Sequence, residues 1–252
     1  MRTYGVIGYP LEHSYSPDFF NKKFKEEKIK DVRYELFPLE NISEFPGLIK
    51  IHPDIRGLNV TIPYKESVIK YLDSIEPDAK IANAVNTIHI DNSPLGLRLK
   101  GYNTDIYGFK TTLKEVLTSK HTKALILGSG GASKAVQFVL DTLGIMFMIV
   151  SRNPTGNQQI SYKEITDAML VSHPLIINTT PSGMFPETLG YPRIPYHALS
   201  SENILYDLIY NPKETNFIKF GKINGARTVN GIRMFKLQAE KSWEIWDKDE
   251  KI

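Results

Sequence analysis

The sequence predicts an α/β protein in two domains, and three observations carry that expectation. The chain has 252 residues, more than the roughly 100 to 200 usual for a single domain. Short apolar runs of strand length alternate with stretches whose apolar residues recur at helical spacing, the order that builds parallel sheets. A glycine-rich turn, "LGSGGAS", stands at residues 127–133, in the middle of the chain, so a block large enough for its own core precedes it.

Taken in order, "TYGVIG" reads as a short buried strand, followed by the polar loop "YPLEHSYS" and the helical "PDFFNKKFKEE". Ser16 before Pro17 is a helix-start signal, because a serine oxygen can cap free N–H groups and proline suits the first turn. "VRYELFPL" and "DIRGLNVTI" are the next strands, and "PYKESVIKYLD" carries its apolar residues at helical spacing. "ANAVNTIHID" and "LKGYNTD" form a strand pair around the turn-rich "NSPLG". From about residue 106 a helix, "IYGFKTTLKEVLTS", leads to the strand and turn "TKALILGSGG". The strands "MFMIVSR", "PLIINTTPSGM", "NILYDLIYNP" and "ARTVNG" then alternate with helices. In the last segment Ile232, Phe235, Ala239, Trp243 and Trp246 share one helical face, which suits packing on either block.

Composition narrows the function. Hydrophobic residues at 41% and charged residues at 23% are ordinary for a packed globular protein. The 31 basic and 28 acidic residues leave a net charge of +3 with no long run of one sign, which argues against nucleic acid or a membrane as partner. No cysteine is present; that excludes disulfides, a thiol nucleophile and thiolate metal sites, and it fits a cytoplasmic location. The six histidines are scattered without ligand spacing, so no metal is expected. Neither a targeting segment nor an apolar run of the ~18 residues that span a membrane is expected.

The glycine turn suggests a cofactor. An apolar strand, "KALIL", runs directly into Gly128, Gly130 and Gly131, and a helix follows from Ala132. Glycines let the backbone approach a pyrophosphate, whose charge the free N–H groups of the helix start stabilise. Ser133 stands where the third glycine or alanine of the usual fingerprint would be. At the end of the next strand an NAD enzyme commonly carries an acid for the ribose hydroxyls; here Ser151 and Arg152 stand instead. A guanidinium can pair with a 2′-phosphate, so NADP is preferred, with a plain solvated arginine as the alternative. Reducing a ketone also needs a proton donor at oxygen. Lys65, just past a strand and at the start of a helix, and Asp105, at the end of "GYNTD", are candidates, although a lysine and an aspartate forty residues apart are also common as surface charges.

Resemblance joins these pieces. "VIGYPLEHSYSP", "LNVTIPYK", "ANAVNTI", "GYNTD", "LGSGGAS", "SRN", "NTTPSGM", "YDLIYNPKET" and "MFKLQA" resemble, in order and spacing, the motif series of the shikimate dehydrogenase family, and they cover nearly the whole chain. The resemblance implies an N-terminal α/β substrate domain, residues 1–105 completed by 232–252. It implies a Rossmann-type NADP domain with a parallel sheet at 106–231 and a C-terminal helix that returns to the substrate side. It implies NADPH-dependent, reversible reduction of 3-dehydroshikimate to shikimate in aromatic amino acid (chorismate) biosynthesis, by a cytoplasmic monomer or homodimer.

Lys65 and Asp105 match the catalytic pair. Ser14, Ser16, Thr61, Asn86, Tyr210 and Gln238 match substrate-binding positions, although Ser16 also reads as a helix cap and Tyr210 as a core residue. Gly128, Gly130, Gly131 and Ala132 match the pyrophosphate turn, and Ser151 with Arg152 the 2′-phosphate clamp. Thr179, Met184 and Gly231 match further cofactor positions. Three departures stand out: the clamp segment "SRNPTGN" is short and begins with serine, Asn83 replaces a common glycine, and Phe235 replaces a common leucine, for which local repacking is expected. A quinate-preferring enzyme using NAD or NADP is the nearest rival reading, and a non-catalytic ligand sensor is disfavoured because Lys65 and Asp105 are both present.

Overall fold

β1 (Arg2–Gly8) opens the first of two units in the computed structural model, which describes residues 1–93 and 96–247. That unit comprises Met1–Thr104 and the chain from Gln238 onward; the second comprises Asp105–Leu237. Its elements are β1, α1 (Ser16–Glu26), β2 (Val32–Pro38), α2 (Phe45–Ile51), β3 (Ile55–Val60), β4 (Ser74–Ile75), α3 (Pro77–Ile81), β5 (Thr87–Ser93) and β6 (Gly96–Tyr102). The strands form one sheet in the order β2-β1-β3-β5-β6-β4. β1 runs parallel to β2 and β3, while β5 runs antiparallel to both β3 and β6.

Alternation along β1 divides its side chains between two cores. Ile7 joins Leu58, Val60, Phe45 and Ile88 in one buried cluster. Tyr4 and Val6 join Phe20 and Phe24 of α1 in the other, together with Ala239, Trp243 and Trp246. Trp246 stacks on Tyr4 at 5.1 Å and donates its indole N–H to the Ile88 carbonyl at 3.0 Å.

The second unit contains α4 (Thr104–Lys114) after its first residue, then β7 (Lys123–Leu127), α5 (Gly131–Thr142), β8 (Met146–Val150), β9 (Gln159–Ile160), α6 (Asp167–Ser172), β10 (Leu175–Asn178), β11 (Ile204–Asp207), α7 (Asn216–Ile223) and β12 (Arg227–Val229). Its sheet is parallel throughout, in the order β12-β11-β10-β7-β8-β9. Counted from β7, that is the 3-2-1-4-5-6 order of dinucleotide-binding folds, whose crevice opens at the carboxyl ends of the strands. Helix α8 (Ile232–Asp247) begins in this unit and ends in the first. The sequence places the return at Ile232; the division falls six residues later because Phe235 packs on Tyr210 of the second unit, ring centroids 4.5 Å apart.

Several local expectations need correction. "PYKESVIKYLD" does not form a helix from its start: Lys65 lies in a turn, and only Ser67–Tyr71 coils, as a 3-10 segment. The Lys65 carbonyl accepts the Val85 N–H at 2.8 Å, which ties it sideways to a neighbouring segment. Ser16 is not the cap of α1. Tyr15 occupies that position in helical conformation without a side-chain bond, and the Ser14 hydroxyl accepts the Ser16 N–H at 3.4 Å. Residues 94 and 95 of the "NSPLG" turn, and residues 248–252 of the expected C-terminal completion, lie outside the described residues. No helix of the described residues is long and apolar enough to cross a membrane.

Candidate functional site

In the first unit the candidate substrate residues collect at one end of the sheet, and strand direction explains why. β1 and β3 are parallel, so the segments that follow them emerge at the same end; β5 is antiparallel to β3, so the segment that precedes it lies there too. Ser14 and Ser16 follow β1, Thr61 and Lys65 follow β3, and Asn86 immediately precedes β5. Backbone bonds fix the juxtaposition: Thr61 donates its N–H to Ile7, Val60 donates to the Asn86 carbonyl, and Asn86 donates to Tyr102 at the end of β6. Ser14, Thr61 and Lys65 are half-buried, whereas Ser16 and Asn86 are buried.

Behind this edge lies a buried polar cluster that the sequence reading did not single out. Tyr34 donates its hydroxyl to Asn59 Oδ1 at 2.7 Å, and Asn59 Nδ2 faces the Asn86 carbonyl, Thr87 Oγ1 and Ser242 Oγ at 3.3, 3.2 and 3.0 Å. Asn86 Nδ2 donates to Thr104 Oγ1 at 3.0 Å and to Gln238 Oε1 at 3.3 Å. The cluster thereby joins Asn86 to Gln238, two candidate residues far apart in sequence. Two signals could have exposed it: Ser242 follows Gln238 by one helical turn, and Thr87 and Thr104 each adjoin a quoted motif residue.

Asn83, the replacement for a common glycine, has φ +49° and sits in the left-handed region. Asparagine tolerates that conformation better than most residues, so the substitution preserves the turn that delivers Ala84, Val85 and Asn86.

In the second unit, the β7–α5 turn has the geometry of a phosphate cradle. Gly128 has φ +112°, and a Cβ there would stand 2.7 Å from Thr179 Oγ1 and 2.9 Å from Thr180 Cγ2. Gly130 is the N-cap of α5, and a Cβ on it would meet nothing within 4 Å. Open space at the start of a twelve-residue helix fits an anionic group bound by free N–H donors. Gly131 and Ala132 are the first residues of that helix. Ser151, buried at the end of β8, lies with its hydroxyl 3.4 Å from that of Ser129 and accepts the Asn153 N–H at 3.2 Å, so it binds the loops together. Arg152 beside it is exposed.

The carboxyl ends of β10 and β11 are organised by one fully buried carboxylate that sequence reading missed. Asp207 accepts hydrogen bonds from Asn178 Nδ2 at 3.0 Å, the Ile209 N–H at 3.1 Å and the Thr215 hydroxyl. Burial pushes its carboxyl up to about 6 against the opposing pull of those bonds. Asn178 in turn accepts from the N–H and hydroxyl of Thr180, and Thr179 donates its hydroxyl to the Leu127 carbonyl, so the loop carrying Met184 starts from a fixed base. Gly231 donates to the Ile209 carbonyl, and a Cβ there would lie 2.0 Å from the Leu208 oxygen. Asp105 is buried in the first turn of α4, next in the chain after Thr104.

A family model described as the shikimate dehydrogenase substrate binding domain matches residues 6–88. The NADP(+) shikimate dehydrogenase of Clostridium beijerinckii is 40% identical over 98% of this chain and 93% of its own length. Among solved structures, shikimate dehydrogenase 1 of Peptoclostridium difficile superposes with a TM-score of 0.85 at 37% identity, covering 98% of this chain and 92% of the other. A shikimate dehydrogenase in complex with NADP+ gives 0.84 at 33%, with coverage of 98% and 90%. The Thermus thermophilus enzyme in complex with NADP(H) and shikimate gives 0.83 at 27%, with coverage of 98% and 94%. At this identity and coverage, with a polar sheet end in one unit and a glycine-turn parallel sheet in the other, the chain belongs to the shikimate dehydrogenase family.

Proposed function

We propose that the protein is an NADP-dependent shikimate dehydrogenase that reversibly reduces 3-dehydroshikimate to shikimate in aromatic amino acid biosynthesis, acting in the cytoplasm as a monomer or homodimer. The observation that carries the reading is the sheet end of the first unit, where hydroxyls, amides and one lysine from five separate segments converge. A ring bearing a carboxylate and several hydroxyls needs such scattered polar partners.

Ser14 and Ser16, beside the start of α1, bind the carboxylate in this reading, while Thr61, Asn86 and Gln238 serve the ring hydroxyls and Tyr210 approaches the reacting end. Lys65 is the acid-base group: it gives a proton to the carbonyl oxygen during reduction and recovers it during oxidation. Asp105 orients Lys65 and accepts a hydrogen bond from a substrate hydroxyl. Bound NADPH supplies the hydride. On this chain Gly128, Gly130, Gly131 and Ala132 hold its pyrophosphate, Arg152 with Ser151 its 2′-phosphate, and Thr179, Met184 and Gly231 border its riboses and nicotinamide. The open space at Gly130 is the structural support for that assignment.

Initial rates at the reduced-nicotinamide absorbance band test the reading, with shikimate or quinate as substrate and NADP or NAD as acceptor. The expected result is the highest kcat/KM with shikimate and NADP. A preference for quinate, or for NAD, would overturn that part of the assignment.

A further inference from the structure

Gln238 and Asn86 each carry an amide, a group that can present either a donor or an acceptor to a ligand. The buried cluster decides which. The Thr104 backbone N–H, which can only donate, points at Asn86 Oδ1 at 2.7 Å. That fixes the oxygen side of the Asn86 amide and leaves Nδ2 toward Thr104 Oγ1 and Gln238. A donor facing Gln238 requires the oxygen of Gln238 to face back, and Thr104 Oγ1 lies 3.3 Å from the same Oε1, able to donate to it as well. Gln238 Nε2 has no hydrogen-bond partner among the described residues, and the side chain is half-buried.

The remainder of the cluster supports the same polarity. Asn59 Nδ2 faces the Asn86 main-chain carbonyl, which can only accept, so the Asn59 amide is also fixed. Ser242 lies 3.0 Å from the Gln238 carbonyl one turn back in α8 and donates to it; its oxygen receives Asn59 Nδ2 at 3.0 Å. Thr87 Oγ1 lies 2.8 Å from Ser242 Oγ and 3.1 Å from Thr104 Oγ1. Ser242 and Thr87 are fully buried, and Thr104 is 2% exposed. Water therefore does not compete for these bonds, and reversing one amide would leave like groups facing each other without a partner.

We infer that Thr104 is a positioning residue which, with Ser242 and Thr87 behind it, locks the Gln238 amide with its oxygen inward and its Nε2 donors toward the ligand, so that the substrate atom met by Gln238 is a hydrogen-bond acceptor. The inference rests on the proposed substrate role of Gln238 and adds the polarity of that contact and the residues that set it.

The test compares Gln238→Glu with Gln238→Ala in shikimate oxidation, reading KM for shikimate and for NADP separately. Removing the donor in the alanine variant is expected to raise the shikimate KM about tenfold. Glutamate keeps the inner oxygen but presents a second oxygen to an acceptor, so its shikimate KM is expected to exceed that of alanine by several-fold more, with the NADP KM unchanged in both. Glutamate equal to or better than alanine overturns the inference.

The Thr104→Val and Thr104→Ser pair tests the positioning role. Valine, of similar shape without the hydroxyl, is expected to raise the shikimate KM by roughly tenfold, and serine is expected to restore it. Loss of thermal stability with an unchanged shikimate KM in the valine variant would make Thr104 merely structural. A parent protein inert toward shikimate would count against the proposed function; calorimetric titration with shikimate would then read the same order of variants directly. Absence of shikimate binding in the parent would overturn both readings.

Discussion

The two units build their binding edges from different materials. In the second, the essential surface is backbone: a left-handed Gly128, open space at Gly130 and the first turn of α5. In the first it is side chain, held by a cluster of buried hydroxyls and amides that runs from Tyr34 to Ser242. In the proposed reading the contrast follows from the targets. A pyrophosphate is a compact charge that any row of N–H groups can satisfy, whereas a polyhydroxylated ring must be met atom by atom, and each side chain that meets it needs support behind it.

Lys65→Ala sharpens that contrast most. It removes the proposed proton donor, so turnover is expected to fall by roughly 10²- to 10⁴-fold while NADPH binding, read by fluorescence titration, stays near that of the parent. Equal losses in both would take Lys65 out of the chemistry. Gly128→Ala attacks the backbone-built edge. A side chain at φ +112° that also meets Thr179 and Thr180 is expected to lower unfolding free energy by about 1–3 kcal/mol and to weaken NADP binding, with denaturant unfolding and titration as the measurements.

Asp207 offers a prediction in pH. Its carboxyl is raised from 3.8 to about 6 in the folded protein, so the folded state holds this proton more tightly than the unfolded state. The contribution is fully present below about 4 and is lost as pH rises through about 6. At ~1.4 kcal/mol per unit the loss is on the order of 3 kcal/mol. Thermal unfolding of the parent and of Asp207→Asn across that range should show the parent losing stability relative to the variant; parallel curves would show that Asp207 is ionised throughout. The smallest effect belongs to Arg152→Ala. In the proposed reading the exposed guanidinium meets one phosphate, so the KM for NADP should rise by about tenfold and that for NAD little; equal rises would leave the 2′-phosphate role unsupported.

What the sequence made legible follows the same division. The glycine turn, its flanking strand and helix, and the alternation of later strands could be read because backbone requirements leave short, fixed-spacing signals such as "LGSGG". The β5–β6 pair was legible from the turn-rich "NSPLG" between two strand-like runs. Lys65 was found, but its setting was misread: helical spacing in "PYKESVIKYLD" does not reveal that Val85 takes the Lys65 carbonyl. The short helices α2 and α3 and the two-residue strands β4 and β9 went unread because they hold too few residues to show a period. Asp207 and the Asn59–Thr87–Ser242 cluster went unread for a different reason. Each joins segments distant in sequence: nothing in a lone aspartate marks it as a meeting point, and the one-turn spacing of Ser242 from Gln238 does not by itself name Asn59 as its partner.

The division of α8 between the units has a consequence for how the protein is made. Both tryptophans of the chain, Trp243 and Trp246, lie in the late part of that helix and fill the core around Tyr4 and Phe20. A ribosome delivers β1 and α1 well before α8, yet their core receives its largest side chains only once the late part of α8 has been made. The Asp105–Leu237 unit is complete before then. The enclosed unit can therefore fold during synthesis, while the enclosing one waits, and tryptophan emission reports the moment at which that waiting ends.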